Sequence, residues 1–223
     1  EEIMALATYT DLKAAVADWA HRSNVSTSTI DTFIDLAESE FNNRLRCVEQ
    51  ETVAALACTT KYTDLPSDFL EMRVVEYDGS ILKNVAYATP EYMAWLRATY
   101  TSGDPVAYSI RGTSLELVPE VGSDDPTVDG FGSDVSPFET GEVEVILTYY
   151  AKITALSDSN TTNWLLTSHP NMYLYECLRQ MSIYTKDDAS VARYATLMQG
   201  YYSGLQASDN GKRFGGPLVM RVG

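Results

Sequence analysis

Histidine and cysteine are scarce in this chain, and the scarcity narrows its chemistry. Any His-based zinc site or Ser-His-Asp triad would have to be built from one of only two histidines, His21 and His169. The three cysteines, Cys47, Cys58 and Cys177, are odd in number and widely spaced, and none forms a C-x-x-C pair. That excludes a disulfide framework and a zinc ribbon and predicts reduced, buried thiols. No run approaches the ~20 apolar residues a membrane helix needs. Glu1 to Thr10 lacks the basic flank and apolar core of a signal peptide, so the chain is expected neither to enter nor to cross a membrane. Without secretion, the sequons at Asn24 and Asn160 carry no meaning. Met4 is a candidate natural start, in which case Glu1 to Ile3 are additions. Positive charge is also short: 16 Lys and Arg stand against 31 Asp and Glu, a net charge of −15. Such a chain repels phosphate backbones, which excludes tight direct nucleic-acid binding.

What remains is foldable. Hydrophobic residues are 45% and charged residues 21% of 223 positions, globular values, and the length suits one large domain or one domain with an insertion. Leu12, Ala15, Val16 and Trp19 fall at helical spacing behind a capping-box start, Thr8-x-x-Asp11. A second, longer helix carries Ile30, Phe33, Ile34, Ala37, Phe41 and Leu45 on one stripe, with Ser28 and Asp31 available as its cap. The two are expected to pair as an antiparallel hairpin.

From about residue 52 the period shortens to that of strands. Thr52–Cys58, Leu70–Tyr77, Ser80–Val85, Val106–Arg111, Ser114–Val118 and Glu142–Ile153 are the expected strands of an antiparallel sheet, with turns at Asp78-Gly79 and Arg111-Gly112-Thr113. Thr89-Pro90-Glu91 opens a short helix that should cover one sheet face. Residues 119–144 hold eight acids and no Lys or Arg, with several Gly and Pro, and read as a solvated loop. Two further helices follow, one through Leu174, Cys177, Leu178, Met181 and Tyr184, the other starting at Asp187-Asp188 through Val191, Tyr194, Ala195, Met198, Tyr202 and Leu205. The last is expected to run out at Ser208-Asp209-Asn210-Gly211 into a tail that carries Lys212, Arg213 and Arg221 against Asp209 alone.

Catalytic and metal patterns fail one after another. Asp124 to Ser136 matches an EF-hand loop at Asp125, Asp129 and Gly130, but Thr127 and Ser136 occupy positions that need ligands, which favours a plain acidic loop. His169 precedes Pro170 at a helix start, where capping and packing account for it. Gly130-Phe131-Gly132 is no phosphate-cradling loop. Acid pairs such as Glu38 with Glu40 or Glu49 with Glu51 are too common among 31 acids to mark a glycosidase. The fifteen tyrosines are more informative. Tyr149-Tyr150, Tyr173-x-Tyr175 and Tyr201-Tyr202 put rings on two sides of one element, as expected where both sides meet protein.

Leu65-Pro66-Ser67-Asp68-Phe69-Leu70, followed by Arg73-Val74-Val75, resembles a segment of the head-to-tail adaptors of short-tailed bacteriophages. Tyr149-Tyr150-Ala151-Lys152-Ile153, Leu156-Ser157-Asp158, Asn163-Trp164-Leu165-Leu166, His169-Pro170 and Tyr173-Leu174-Tyr175 occur in the order and spacing of that family. The resemblance implies an α+β protein: an antiparallel α-helical bundle, a β-rich antiparallel insertion and an extended C-terminal tail. The corresponding divisions are 1–51, 52–153, 154–207 and 208–223. It implies a structural virion protein without enzymatic activity or cofactor, a dodecameric ring that docks on the portal protein, extends the DNA channel and bears the tail proteins. DNA would pass without specific binding, helped by the acidic body. Lys212, Arg213, Phe214, Leu218, Val219, Met220 and Arg221 would be the portal-binding tail. The protein would reside at the head-to-tail interface of the virion and, during assembly, in the host cytoplasm. A tail tubular protein of a related phage is the first alternative, followed by a cell-wall polysaccharide hydrolase and an acidic mimic of nucleic acid.

Overall fold

The tertiary fold is described by a computed structural model for residues 6–20, 25–78, 82–101, 103–119 and 143–214. Two compact units make up the chain: residues 1–50 with 152–223, and residues 51–151 set between them in the sequence. The first is helical and the second is built on a sheet.

In the helical unit, α1 (Tyr9–Trp19) starts at the expected capping box. The Asp11 N–H donates to Thr8 Oγ1 at 3.2 Å and the Thr8 N–H to Asp11 Oδ2 at 3.0 Å, which satisfies donors that a helix start leaves open. α2 (Thr27–Arg44) begins earlier than a Ser28 cap would allow, because Ser26 is the N-cap and accepts the Thr29 N–H at 3.2 Å. A short α4 (Trp164–Ser168) leads into α5 (Pro170–Tyr184) and a long α6 (Asp188–Phe214). Leu12, Val16, Phe33, Phe41, Tyr173, Leu178 and Met198 belong to one buried cluster that all the long helices share. Of the residues expected on the core stripes, Trp19 and Tyr184 lie at helix ends and escape it, and Ala195 is exposed on the last helix. Trp19 is 49% exposed, edge-on to Tyr175, and Tyr184 is 66% exposed, edge-on to Phe33.

The extended tail expected from residue 208 is corrected. Residues 208–214 are the last turns of α6, so the division expected at 207/208 falls inside a helix. Residues 215–223 lie outside the described residues, as do the acidic stretch 120–142 with its EF-hand-like residues and the Asp78-Gly79 turn beyond Asp78.

In the sheet unit, β1 (Glu51–Cys58), β2 (Tyr62–Asp64), β3 (Phe69–Asp78), β4 (Leu82–Tyr87), β5 (Ala107–Arg111), β6 (Ser114–Val118) and β7 (Val143–Ala151) form one sheet in the order β1-β7-β3-β4-β5-β6-β2. The sheet is mixed rather than wholly antiparallel, because β4 and β5 pair in parallel. The cause is α3 (Pro90–Thr99), which lies between them in sequence and serves as the crossover that parallel neighbours require. The β5–β6 register fixes the faces: Tyr108 opposes Leu117 toward the core, while Ala107 opposes Val118 and Ser109 opposes Glu116 on the side that α3 covers.

The stretch from Lys152 to Asn163 returns the chain to the helices with no helix or strand of its own. Its backbone therefore needs partners, and α2 supplies them. The Ile153 N–H donates to Asn42 Oδ1 at 2.8 Å and the Leu156 N–H to Glu38 Oε1 at 2.9 Å. The Tyr173 hydroxyl donates to the same Glu38 oxygen at 3.1 Å and accepts from Asn163 Nδ2 at 2.7 Å. Desolvation is the main reason that Glu38 is pushed up to about 7 from an ordinary 4.5, against the two bonds it accepts.

The folded state thus holds the Glu38 proton to about pH 7, whereas the unfolded chain releases it near 4.5. The stability from this group is fully present below the unfolded value and is lost as pH rises through the folded one. Glu38→Gln keeps the acceptor oxygen and removes the titration. Thermal unfolding followed from pH 5 to 9 should show a smaller loss of Tm in the variant than in the wild type; equal slopes would contradict this assignment.

Candidate functional site

The residues that carry the family pattern serve as scaffold. Leu65 is buried, its N–H donating to the Thr113 carbonyl at 2.9 Å, and the Pro66 carbonyl accepts the Phe69 N–H at 2.9 Å. That turn is fastened to β7, because the Tyr149 hydroxyl donates to Asp68 Oδ1 at 3.0 Å and the Phe69 and Tyr149 rings lie 5.7 Å apart. Tyr150, on the opposite side of β7, sits under the Arg73 guanidinium at 5.6 Å. Asn163 caps α4 by accepting the Leu166 N–H at 2.9 Å and also donates to the Thr154 carbonyl at 2.9 Å. Trp164 packs against the helical core that Leu165 and Leu166 join. His169 precedes Pro170, the first residue of α5, and makes no side-chain cap bond. Tyr173 is fully buried against Phe41, while Tyr175 stacks with Tyr194 and meets Tyr201. Each paired-tyrosine segment therefore meets protein on two sides.

Two surfaces stand apart from this scaffold. The first is the outer face of α3 in the sheet unit. Thr89 caps the helix and Pro90 opens it, as the sequence predicts, and Met93 and Leu96 are buried against Ala88, Ala107 and Val118. Glu116, with no exposed surface, receives Arg97 from α3 at Oε1 and Arg111 Nε from β5 at Oε2. A buried carboxylate needs such compensation, and here the compensation bolts α3 to the β5–β6 hairpin. Held this way, α3 presents Tyr92 and Trp95, stacked 5.3 Å apart and each about half exposed. Large aromatic surface left in water is typical of an interface.

The second surface is the end of α6, the root of the C-terminal segment. Asp209, 7% exposed, accepts the Val48 N–H at 2.6 Å and Arg213 Nε at 2.7 Å, and Lys212 pairs with Glu49. Burial acts to raise the Asp209 pKa, but the bonds from Arg213 and Val48 and the neighbouring positive charges outweigh it and leave the carboxyl below its ordinary value. The clasp is ionised at neutral pH. Of the cations assigned to the tail, Lys212 thus holds the helix end to the turn Val48–Gln50 through Glu49, and Arg213 braces Asp209 within α6, while Phe214 is the last residue of α6. Leu218, Val219, Met220 and Arg221 lie outside the described residues. Beside the clasp is a cavity of about 220 Å³ lined by Arg44, Arg46, Tyr202, Leu205 and Asp209, among others.

Among the described residues, no three of His, Cys, Asp and Glu gather where a metal ion could be held, and no helix is long and apolar enough to cross a membrane. All three cysteines are buried and free, and desolvation is the main cause that pushes Cys47 up to about 12. The sequence reading overlooked the Arg97–Glu116–Arg111 group and the Asp209–Val48 bond. The one available signal was an acid at Glu116 inside an otherwise apolar strand.

A family model described as SU10 adaptor protein matches residues 7–221. No curated protein matches the chain.

Arg97→Met keeps the packing of α3 but leaves Glu116 short of one charge partner, and urea unfolding should show a loss of about 3 kcal/mol. Asp209→Ala leaves the Val48 N–H without its acceptor and should cost about 1–2 kcal/mol, with faster hydrogen exchange at the Val48 amide. Unchanged exchange there would show that the clasp does not hold the turn.

Proposed function

The chain belongs to the SU10 adaptor protein family, a phage structural adaptor by that membership, and on this premise we propose that it is the head-to-tail adaptor of a short-tailed phage. It docks as a ring, dodecameric as in the resembled family, on the portal protein, extends the DNA channel and carries the tail components. It performs no chemistry and needs no cofactor. Its helical unit plays the part of the family's bundle, and its sheet unit that of the β-rich insertion. Its places are the head-to-tail interface of the virion and, before assembly, the host cytoplasm.

The observation that carries this reading is the extent of the family match, which runs from α1 through the C-terminal segment to residue 221. The residues of the resemblance support it, since they brace turns and helix joints. The charge of −15 supports passage of DNA along a wall that does not retain it. Portal contact falls to Phe214, Leu218, Val219, Met220 and Arg221, an apolar series with a terminal cation that suits a groove on a partner. Lys212 and Arg213 contribute indirectly, by fixing the point from which that segment departs.

The test is a truncation that respects the helix. Deleting residues 215–223, and not 208–223, spares the Asp209 clasp and should leave the circular dichroism spectrum and Tm unchanged while abolishing binding to portal rings. Portal binding at undiminished affinity would remove the tail assignment.

A further inference from the structure

We infer that the aromatic groove between α1 and α6 receives the outer face of α2 from a second copy of this chain. The inference rests on the multi-copy adaptor reading and deepens it by naming a contact between neighbouring subunits.

Residues two apart on a helix point about 200° apart, so Tyr173 and Tyr175 leave α5 on opposite sides. Tyr173 meets α2, its ring 5.1 Å from that of Phe41 and its hydroxyl bonded to Glu38. On the far side, Tyr175 is the floor of a groove. Trp19, at the end of α1, stands edge-on to it at 6.1 Å, and Tyr194 and Tyr201 of α6 lie 6.2 and 5.8 Å from it. Leu197 sits between those two on the same flank of α6 and is 40% exposed. The three tyrosines rest on the helical core yet keep part of their surface in water, and Trp19 keeps half. Clustered Tyr and Trp left partly wet are the mark of a protein contact. Arg193 stands at the rim, close enough to Tyr175 for its charge to act on the phenol. It is exposed and enters no ion pair among the described residues.

The complement lies on the opposite side of the same helical unit. α2 turns its apolar stripe from Ile30 to Phe41 into the core, so Thr32, Asp35, Leu36, Ser39 and Asn43 make its outer face, all of them exposed. Leu36, 48% exposed, is the one large apolar side chain there. Asp35 beside it enters no ion pair among the described residues. An amphipathic helix laid in a groove needs an apolar anchor. Leu36 supplies it for the Tyr194–Leu197–Tyr201 wall, and Asp35 is the counter-charge for Arg193. One copy cannot make this contact with itself, because its own α2 lies across α5 from the groove. Between copies, groove and helix are different patches that meet head to tail, the heterologous geometry that closes rings. The contact is small and therefore weak in dilute solution, and it forms when a partner holds copies side by side at high effective concentration.

Cross-linking of the full-length chain without portal tests the pairing. Ser39→Cys and Gly200→Cys place thiols at exposed positions beside the anchor and the groove wall, nothing lies within 4 Å of a Cβ added at Gly200, and the three native thiols are buried. When the two variants are mixed and treated with a short bismaleimide, the 39–200 product should exceed each like-with-like product by about tenfold, equivalent to about 1.4 kcal/mol. Arg193→Glu in the Gly200→Cys chain should remove the excess, and pairing that chain with one carrying Asp35→Arg and Ser39→Cys should restore it. Trp19→Ala, which takes away one wall, should lower the excess too. Unchanged circular dichroism would show that the variants fold. Products in statistical proportion, or no product, overturn the inference, and so does an excess indifferent to Arg193→Glu. Because no portal is present, these outcomes are independent of whether the adaptor docks on one.

Discussion

One buried carboxyl group closes the helical unit. The sheet unit interrupts the helices between residues 50 and 152, so the chain must return to a core it left about a hundred residues earlier, along a stretch that has no regular structure to satisfy its own backbone. Glu38 resolves this from inside α2 by accepting the Leu156 N–H and the Tyr173 hydroxyl on one oxygen. Asn163 passes the network on to the Thr154 carbonyl and to the start of α4. Four parts of the helical unit therefore converge on a group whose own desolvation is unfavourable. A satisfied polar network of this kind trades some stability for a single arrangement of the returning chain.

The structure separates what identifies the chain from what can bind. The Leu-Pro-Ser-Asp-Phe turn, the Asn-Trp-Leu-Leu cap, Tyr149 and Tyr173 are spent on internal bracing. The exposed aromatic pair on α3, the groove between α1 and α6 and the end of α6 lie outside them. For the proposed adaptor this division is physically sensible, because a subunit held between two partners would need stiff joints, whereas its contacts could vary with the partner.

Local chemistry was legible in the sequence and tertiary pairing was not. Thr8 with Asp11 and Thr89 with Pro90 announce helix starts because a cap is satisfied within four residues. The α2 stripe from Ile30 to Leu45 reads correctly because a long amphipathic period leaves little choice. Strand order could not be read, and an all-antiparallel sheet was the simpler expectation; α3 as a crossover makes β4 and β5 parallel. Glycine at position 211 argued for the end of α6, at a helix cost near 1 kcal/mol. The helix continues through it with Asp209 on Val48 and Lys212 on Glu49, partners more than 160 residues away in sequence that no local pattern reveals. The burial of Glu116 was hidden for a different reason: its two arginines are only 5 and 19 residues away but come from other elements.

The most direct test of the central claim is sedimentation velocity of the purified chain, alone and mixed with the cognate portal ring. The account predicts a slow monomer that shifts, on mixing, to one heavier complex with one adaptor per portal subunit. A self-assembled ring in the absence of portal, or no shift in its presence, would contradict it.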